Sequence, residues 1–138
     1  MYQEVLSTQR KTLRRDDPST TMTMMSLGEV LIDNGDFVDA EELLQECFEI
    51  KRDKSPNVYT TYKVQSLLGA AQLGCQKFEV AKLNLVEGYQ GIKTKKPPSN
   101  LYLIRALEQL VKLAEETDNS EDVEKWQAEQ KRIGRELD

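Results

Sequence analysis

The chain has 138 residues, of which 38% are hydrophobic and 31% are charged, so it can form one domain with a highly charged surface. It contains no histidine, which excludes His-based acid–base catalysis, the Ser-His-Asp and Cys-His systems and most zinc sites. The net charge is −5, and no basic tract exceeds the short run of residues 93–96, so a nucleic-acid partner is not expected.

The sequence also predicts where the protein resides. No apolar run approaches the roughly 20 residues that cross a bilayer, and the polar start lacks the apolar segment of a signal peptide. Cys47 and Cys75 could form a disulfide, but we favour two reduced thiols that behave as small hydrophobes. We therefore expect a cytoplasmic protein without a membrane segment.

Residues 1–17 predict one helix, with Tyr2, Leu6 and Leu13 on one face. Aligning Pro18 on Pro56 places Leu6 on Leu44, so this segment corresponds to the second helix of a repeat whose first helix is missing. The pattern therefore predicts that the chain is cut from a longer array. Such an exposed half-repeat could also mediate self-association.

Residues 18–55 predict the first complete helix pair. Asp17 and Pro18 are typical of an N-cap followed by proline at the first helical position. The first helix carries apolar or small residues at i, i+3, i+4 and i+7, and a turn at residues 33–36 separates it from the second. The positions that form these two stripes are Met24, Leu27, Gly28, Leu31, Phe37, Ala40, Leu44, Cys47 and Phe48.

Residues 56–97 repeat this pattern, with Ser55 and Pro56 as the expected helix start and a break near Gly74. Leu68-Gly69 follows Leu27-Gly28 by 41 positions, and the same offset relates Phe78 to Phe37, Ala81 to Ala40 and Leu85 to Leu44. A period of this length indicates a stacked helical repeat. We expect the paired helices to approach closely where Gly28 meets Ala40 and where Gly69 meets Ala81.

Residues 98–138 predict a third, degenerate pair. Val111 replaces the glycine and Ser120 the aromatic residue, and the last helix is densely charged, as a terminal cap should be. Trp126 could be an exposed binding residue, although its helical spacing from Val123 favours a role in closing the last core. The whole chain predicts seven helices with boundaries near residues 18, 35, 56, 76, 98 and 120.

The repeated pattern Leu-Gly-x-x-Leu, with Phe37 and Ala40-x-x-x-Leu44 after it, resembles the tetratricopeptide repeat (TPR). The 41-residue spacing and the opening Asp-Pro-Ser-Thr look like the kinesin-light-chain type. Residues 40–47, 66–70 and 87–89 are also similar to the TPR region that follows the kinase domain in bacterial, notably planctomycete, serine/threonine protein kinases. The resemblance implies an all-α, right-handed superhelix of antiparallel helix pairs that binds protein partners.

No catalytic constellation is apparent. The chain lacks the Gly-rich loop, catalytic loop and Asp-Phe-Gly motif of a kinase, so any kinase domain of the parent would lie elsewhere. Carboxylates such as Glu115-Glu116 and Glu121-Asp122 are typical of solvated helices rather than of a metal site. We therefore predict no enzyme activity, no metal and no cofactor.

The resemblance implies that a ligand binds in the concave groove, which the first helix of each unit lines. Two positions where kinesin-light-chain repeats carry paired asparagines hold Met25-Ser26 and Ser66-Leu67 here, so no asparagine clamp is assigned. The inward positions carried over from the family are Met22, Met25, Glu29, Ile32, Lys63, Ser66, Ala70, Leu73, Arg105, Glu108, Lys112 and Glu115.

Exposed methionines beside cations suit a peptide with an apolar anchor and an acidic group. We expect Met22 and Met25 to supply the apolar surface, and Lys63, Arg105 and Lys112 the charge. Two alternatives remain open: the groove positions could form only a solvated face, or the chain could be a structural or self-association module without a peptide ligand.

Overall fold

The computed structural model describes residues 2–14, 16–96 and 99–137, and within these ranges it contains helices and short turns but no strand. The all-α class and the seven predicted helices are therefore confirmed for this part of the chain. The helices are α1 (Tyr2–Thr12), α2 (Pro18–Asp33), α3 (Phe37–Lys54), α4 (Tyr59–Gly74), α5 (Phe78–Thr94), α6 (Leu101–Glu116) and α7 (Ser120–Leu137).

The helix starts agree with the sequence at α2 but not at α4. Asp17 accepts a hydrogen bond from the Ser19 amide at 2.9 Å, and Pro18 is the first helical residue. The prediction that Ser55 caps a helix starting at Pro56 is wrong, because α4 begins at Tyr59. The Thr61 hydroxyl donates to the Ser55 carbonyl at 2.6 Å, and this bond supports the turn before α4. The start predicted at Pro98 lies outside the described residues.

Glycines set the close approach of α4 and α5. A Cβ atom added at Gly69 would lie 2.7 Å from Leu85 Cγ, and one added at Gly88 would lie 2.8 Å from the Ser66 backbone nitrogen. A Cβ at Gly91 would collide with the ring of Tyr62. Along these contacts the residue numbers increase on α5 while they decrease on α4, so the two helices are antiparallel.

The predicted partners of the repeated glycines are wrong by one helical turn. Gly28 packs against Leu44 rather than Ala40, and Gly69 against Leu85 rather than Ala81. The physical reason is that helical side chains tilt toward the N-terminus of their own helix, so each leucine reaches back over the level of the preceding alanine. The glycine therefore makes room for a large side chain that is completely buried.

The helices stack as an array in which α2, α4 and α6 contact one another in sequence. The helix α3 packs on α2 and α4, and α5 packs on α4 and α6. The α1 helix packs on α2, and α3 packs on α4. The first helices of the units thus line one side of the array, the concave face, and the second helices form its back.

The α7 helix covers the end of the core. Trp126 is only 4% exposed and packs edge-to-face on Tyr89, with the ring centroids 5.8 Å apart. Of the two interpretations of Trp126, the structure supports the one in which it closes the core. The Tyr89 hydroxyl donates to Glu129, and Lys82 forms an ion pair with Asp122 at 3.0 Å, so polar contacts also join α5 to α7.

Glu129 should make the fold sensitive to acid. Hydrogen bonds from Arg132 and Tyr89 lower the pKa of Glu129 from its usual 4.5 to about 2. A depressed pKa means that the stabilisation is complete above pH 4.5 and is lost as the pH falls toward 2.

Glu129→Gln should therefore remove about 1 kcal/mol of stability at pH 7 and reduce the loss of stability between about pH 4.5 and 3. Urea unfolding at several pH values measures this, and Glu124→Gln on the same helix is the control. An unchanged pH profile for Glu129→Gln would contradict the assignment.

Two further expectations concern the thiols and the membrane. Both cysteines are free, with Cys47 buried and Cys75 half-buried, so the structure contains no disulfide between them. Burial raises the pKa of Cys47 to about 12, which keeps it a thiol. Among the described residues, no helix combines the length and apolarity needed to cross a bilayer.

Candidate functional site: the concave face

Glu29 is the centre of a polar cluster on the concave face. The Tyr102 hydroxyl donates to Glu29 Oε1 at 2.7 Å, and the Arg105 guanidinium donates to Glu29 Oε2 at 3.1 Å. These three residues, hereafter the Glu29 clamp, join α2 to α6 across α4, and the backbones of α2 and α6 make no contact of their own. Burial and the hydrogen bond to Glu29 raise the pKa of Tyr102, so it stays a donor.

Lys63 of α4 lies beside the clamp. Its ammonium is 3.8 Å from the centroid of the Tyr102 ring, a cation–π contact between α4 and α6. Burial lowers the pKa of Lys63, while the charge of Glu29 opposes that shift. Lys63 and Arg105 are thus both held by groups of the protein itself, and neither is an isolated cation in the groove.

A cavity of about 290 Å³ opens next to the clamp, and its walls come from α2, α4 and α6 alone. It is the place where the three first helices share one surface. Apolar side chains and several carboxylates line it together. The lining residues are Glu29, Ile32, Asp33, Ser66, Leu67, Ala70, Tyr102, Arg105, Glu108 and Gln109.

The two predicted methionines lie at a different hollow. Met22 is 64% exposed, whereas Met25 is half-buried against the core of the first unit. Both line a smaller cavity of about 100 Å³ between the start of α2, Lys51 of α3 and Thr60 of α4. Neither methionine lines the cavity beside the Glu29 clamp.

The remaining predicted positions divide between surface and core. Lys112 is exposed and forms no ion pair or ring contact within the described residues. Ser66 and Ala70 are buried and line the central cavity. The prediction for Leu73 is wrong, because that side chain is 2% exposed and belongs to the core cluster that continues into α6.

Sequence reasoning missed Tyr102 and Asp33. Tyr102 lies one turn before Arg105, but the corresponding residues of the other units are small hydroxyl residues, so the repeat carries no signal for it. Asp33 falls in the turn that the sequence predicts after α2, although it is the last residue of that helix and lines the cavity. The spacing from i to i+4 along α2 would have placed Asp33 one turn beyond Glu29 on the same face.

The concave face carries polar, charged and apolar groups side by side. The Glu29 carboxylate is engaged by two donors, and no group of three potential metal ligands occurs in the described part of the chain. The arrangement offers hydrogen-bond donors and acceptors, charges and apolar surface to a ligand that is itself a chain or a side chain.

Comparison with known proteins defines the fold. No protein-family model and no curated protein matches the chain. A crystal structure of nearly identical TPR-like repeats, from a Podosopora anserina protein assigned as a kinesin light chain, is similar with a TM-score of 0.70 at 19% identity. It covers 99% of this chain and 65% of that one. A second crystal structure, of a variant of the same protein, gives a TM-score of 0.69 at 19% identity, covering 97% and 66% of the two chains. The chain thus spans about two thirds of the length of these structures, and it has the fold of TPR-like repeats.

Proposed function

We propose that the chain is a protein-interaction scaffold that holds a peptide, or a segment of a partner domain, on its concave face. TPR-like repeats generally serve as such scaffolds, and they are typically non-catalytic. The observation that carries the proposal is the central cavity, because residues of all three first helices line it and the Glu29 clamp holds its walls together. The residues proposed to contact the partner are Met22, Met25, Glu29, Lys63, Ser66, Arg105 and Lys112.

The experiment begins with peptides selected on the immobilised chain from a random display library. Their affinities are then measured for the wild-type chain and for the double variant Lys63→Glu with Arg105→Glu. This variant removes two cation–π contacts, both over the Tyr102 ring, and the ion pair between Arg105 and Glu29. We expect about a tenfold or greater loss of affinity, because the variant breaks the Glu29 clamp that holds the walls of the cavity together.

The convex face offers a matched control. The double variant Lys82→Glu with Lys125→Glu also removes one ion pair, to Asp122, and one cation–π contact, over Trp126. It makes the same change in net charge, and we expect it to retain wild-type affinity. Equal losses for both double variants, or no loss for either, would contradict binding on the concave face.

A second candidate function is self-association through α1. Tyr2, Val5 and Leu13, on or next to this helix, are 37%, 42% and 38% exposed, so apolar surface is available there. Sedimentation velocity over a range of concentrations tests this. A dimer that Val5→Glu dissociates would support the alternative, and a monomer at every concentration would exclude it.

We also propose that the chain acts without catalytic activity, in the cytoplasm, beside a bacterial serine/threonine kinase domain of a longer protein. The free thiols support a reducing compartment, and the sequence similarity to kinase-linked TPR regions supports the parent. Sequencing the gene upstream of Met1 tests whether the parent protein contains a kinase domain. A kinase signature in the same frame would support it, and an unrelated domain would contradict it.

A further inference from the structure

The charges of the central cavity do not cancel. Glu29 is paired with Arg105, which leaves Asp33 and Glu108 on the walls. Both carboxylates are exposed, and within the described residues neither forms an ion pair or a side-chain hydrogen bond. No ion pair joins Glu108 to Lys112, although the spacing on α6 would allow one. The open charge in this cavity is therefore negative.

Ser66 adds an open hydrogen-bonding group. Its side chain lines the cavity and is only 6% exposed, yet its hydroxyl makes no hydrogen bond to any described residue. The oxygen itself keeps some contact with solvent, so a ligand in the cavity can reach it. The hydroxyl can accept a hydrogen bond from an ammonium or guanidinium group.

The position of Asp33 strengthens the negative potential. Asp33 is the last residue of α2, where the helix dipole is negative and a carboxylate is unfavourable. No described group donates a hydrogen bond to the Asp33 side chain, so nothing compensates for this unfavourable interaction with the helix dipole. A cation placed beside it would relieve the repulsion.

The cavity also has apolar walls and a limited size. Ile32, Leu67 and Ala70 supply surface on which an aliphatic stem can pack. Its volume of about 290 Å³ is just below the range of about 300–1,000 Å³ that is typical of small-molecule sites. This size suits one long side chain better than a whole small molecule.

We propose that the central cavity takes a lysine or arginine side chain of a bound peptide, with its stem on the apolar walls and its charged head between Asp33, Glu108 and the Ser66 hydroxyl. The inference rests on the proposed function, since it names the anchor of the same ligand. The proposed anchor of the ligand is basic, whereas the sequence predicts an acidic group at this place. The reason for the change is that Arg105 is already paired with Glu29 and Lys63 is stacked on Tyr102.

The test uses three fluorescent libraries of short peptides with random flanks and a fixed central residue. The central residue is lysine, its neutral analogue norleucine, or glutamate, and binding to the full chain is measured by fluorescence polarisation. We expect the lysine library to bind most tightly and the glutamate library most weakly. Asp33→Asn with Glu108→Gln should weaken binding of the lysine library by about three- to tenfold.

The control variant is Glu42→Gln with Glu124→Gln, which removes two exposed carboxylates from α3 and α7. It should bind the lysine library like the wild type. The thermal midpoint of Asp33→Asn with Glu108→Gln should not fall, because Asp33 opposes the helix dipole, and this separates lost binding from lost folding.

The outcomes separate the two proposals. Tightest binding of the norleucine or glutamate library, or equal affinities of the cavity variant and the control variant for the lysine library, would overturn the basic anchor and leave the peptide scaffold standing. If no library binds, the proposed function fails, and the basic anchor fails with it.

Discussion

Truncating Leu85 to alanine should lower the free energy of unfolding by about 2–5 kcal/mol. The side chain of Leu85 is completely buried in the larger core cluster, and it fills the space that Gly69 leaves on α4. Its removal would leave a cavity that the surrounding helices cannot close without moving apart, since two further glycines of α5 hold the pair in contact.

Leu83, two residues earlier on α5, is the matched control because it is 56% exposed. Leu83→Ala should change the free energy of unfolding by less than about 0.5 kcal/mol. Denaturant unfolding of both variants measures the difference. Similar losses for the two leucines would contradict the orientation of α5.

The second large effect is expected when a larger side chain is introduced at Gly69, on the α4 side of the contact with Leu85. Gly69→Leu should destabilise the fold by about 1–3 kcal/mol, because even a Cβ atom there would lie 3.0 Å from the backbone nitrogen of Leu85. The backbone cannot move aside as a side-chain end could, so α4 and α5 must separate.

Gly134 provides the control for helix propensity. A Cβ atom added to it meets no heavy atom within 4 Å, and it also lies inside a helix. Gly134→Leu should therefore be neutral or stabilise the protein by up to about 1 kcal/mol. A denaturant midpoint unchanged by Gly69→Leu would show that Gly69 does not mediate close packing.

The architecture could be predicted because the same sequence pattern occurs in two units of the chain. Leu27-Gly28 and Leu68-Gly69 mark equivalent points of two first helices, and comparison of the units reveals both helix pairs. The partners of the glycines could not be predicted in the same way. Periodicity indicates which face a glycine is on, whereas the tilt of helical side chains decides that Leu44 and Leu85 cover it.

The sequence predicts several residues of the concave face, but it does not predict the contacts that they make with one another. Glu29, Lys63, Ser66 and Arg105 do meet on the concave face, because repeated positions share a face of the array. The residue that connects them is Tyr102, which bonds to Glu29 across 73 positions of the chain. A residue that occurs in one unit only has no counterpart to reveal it, so the pairing of the charges had to come from the structure.

The central claim is that a ligand meets the first helices of the repeats. Titration of the ¹⁵N-labelled chain with a peptide selected from the display library tests it most directly, because amide chemical-shift changes locate the contact. We expect the largest changes on α2, α4 and α6, around Glu29, Ser66 and Arg105. Changes confined to α3, α5 and α7 would contradict it.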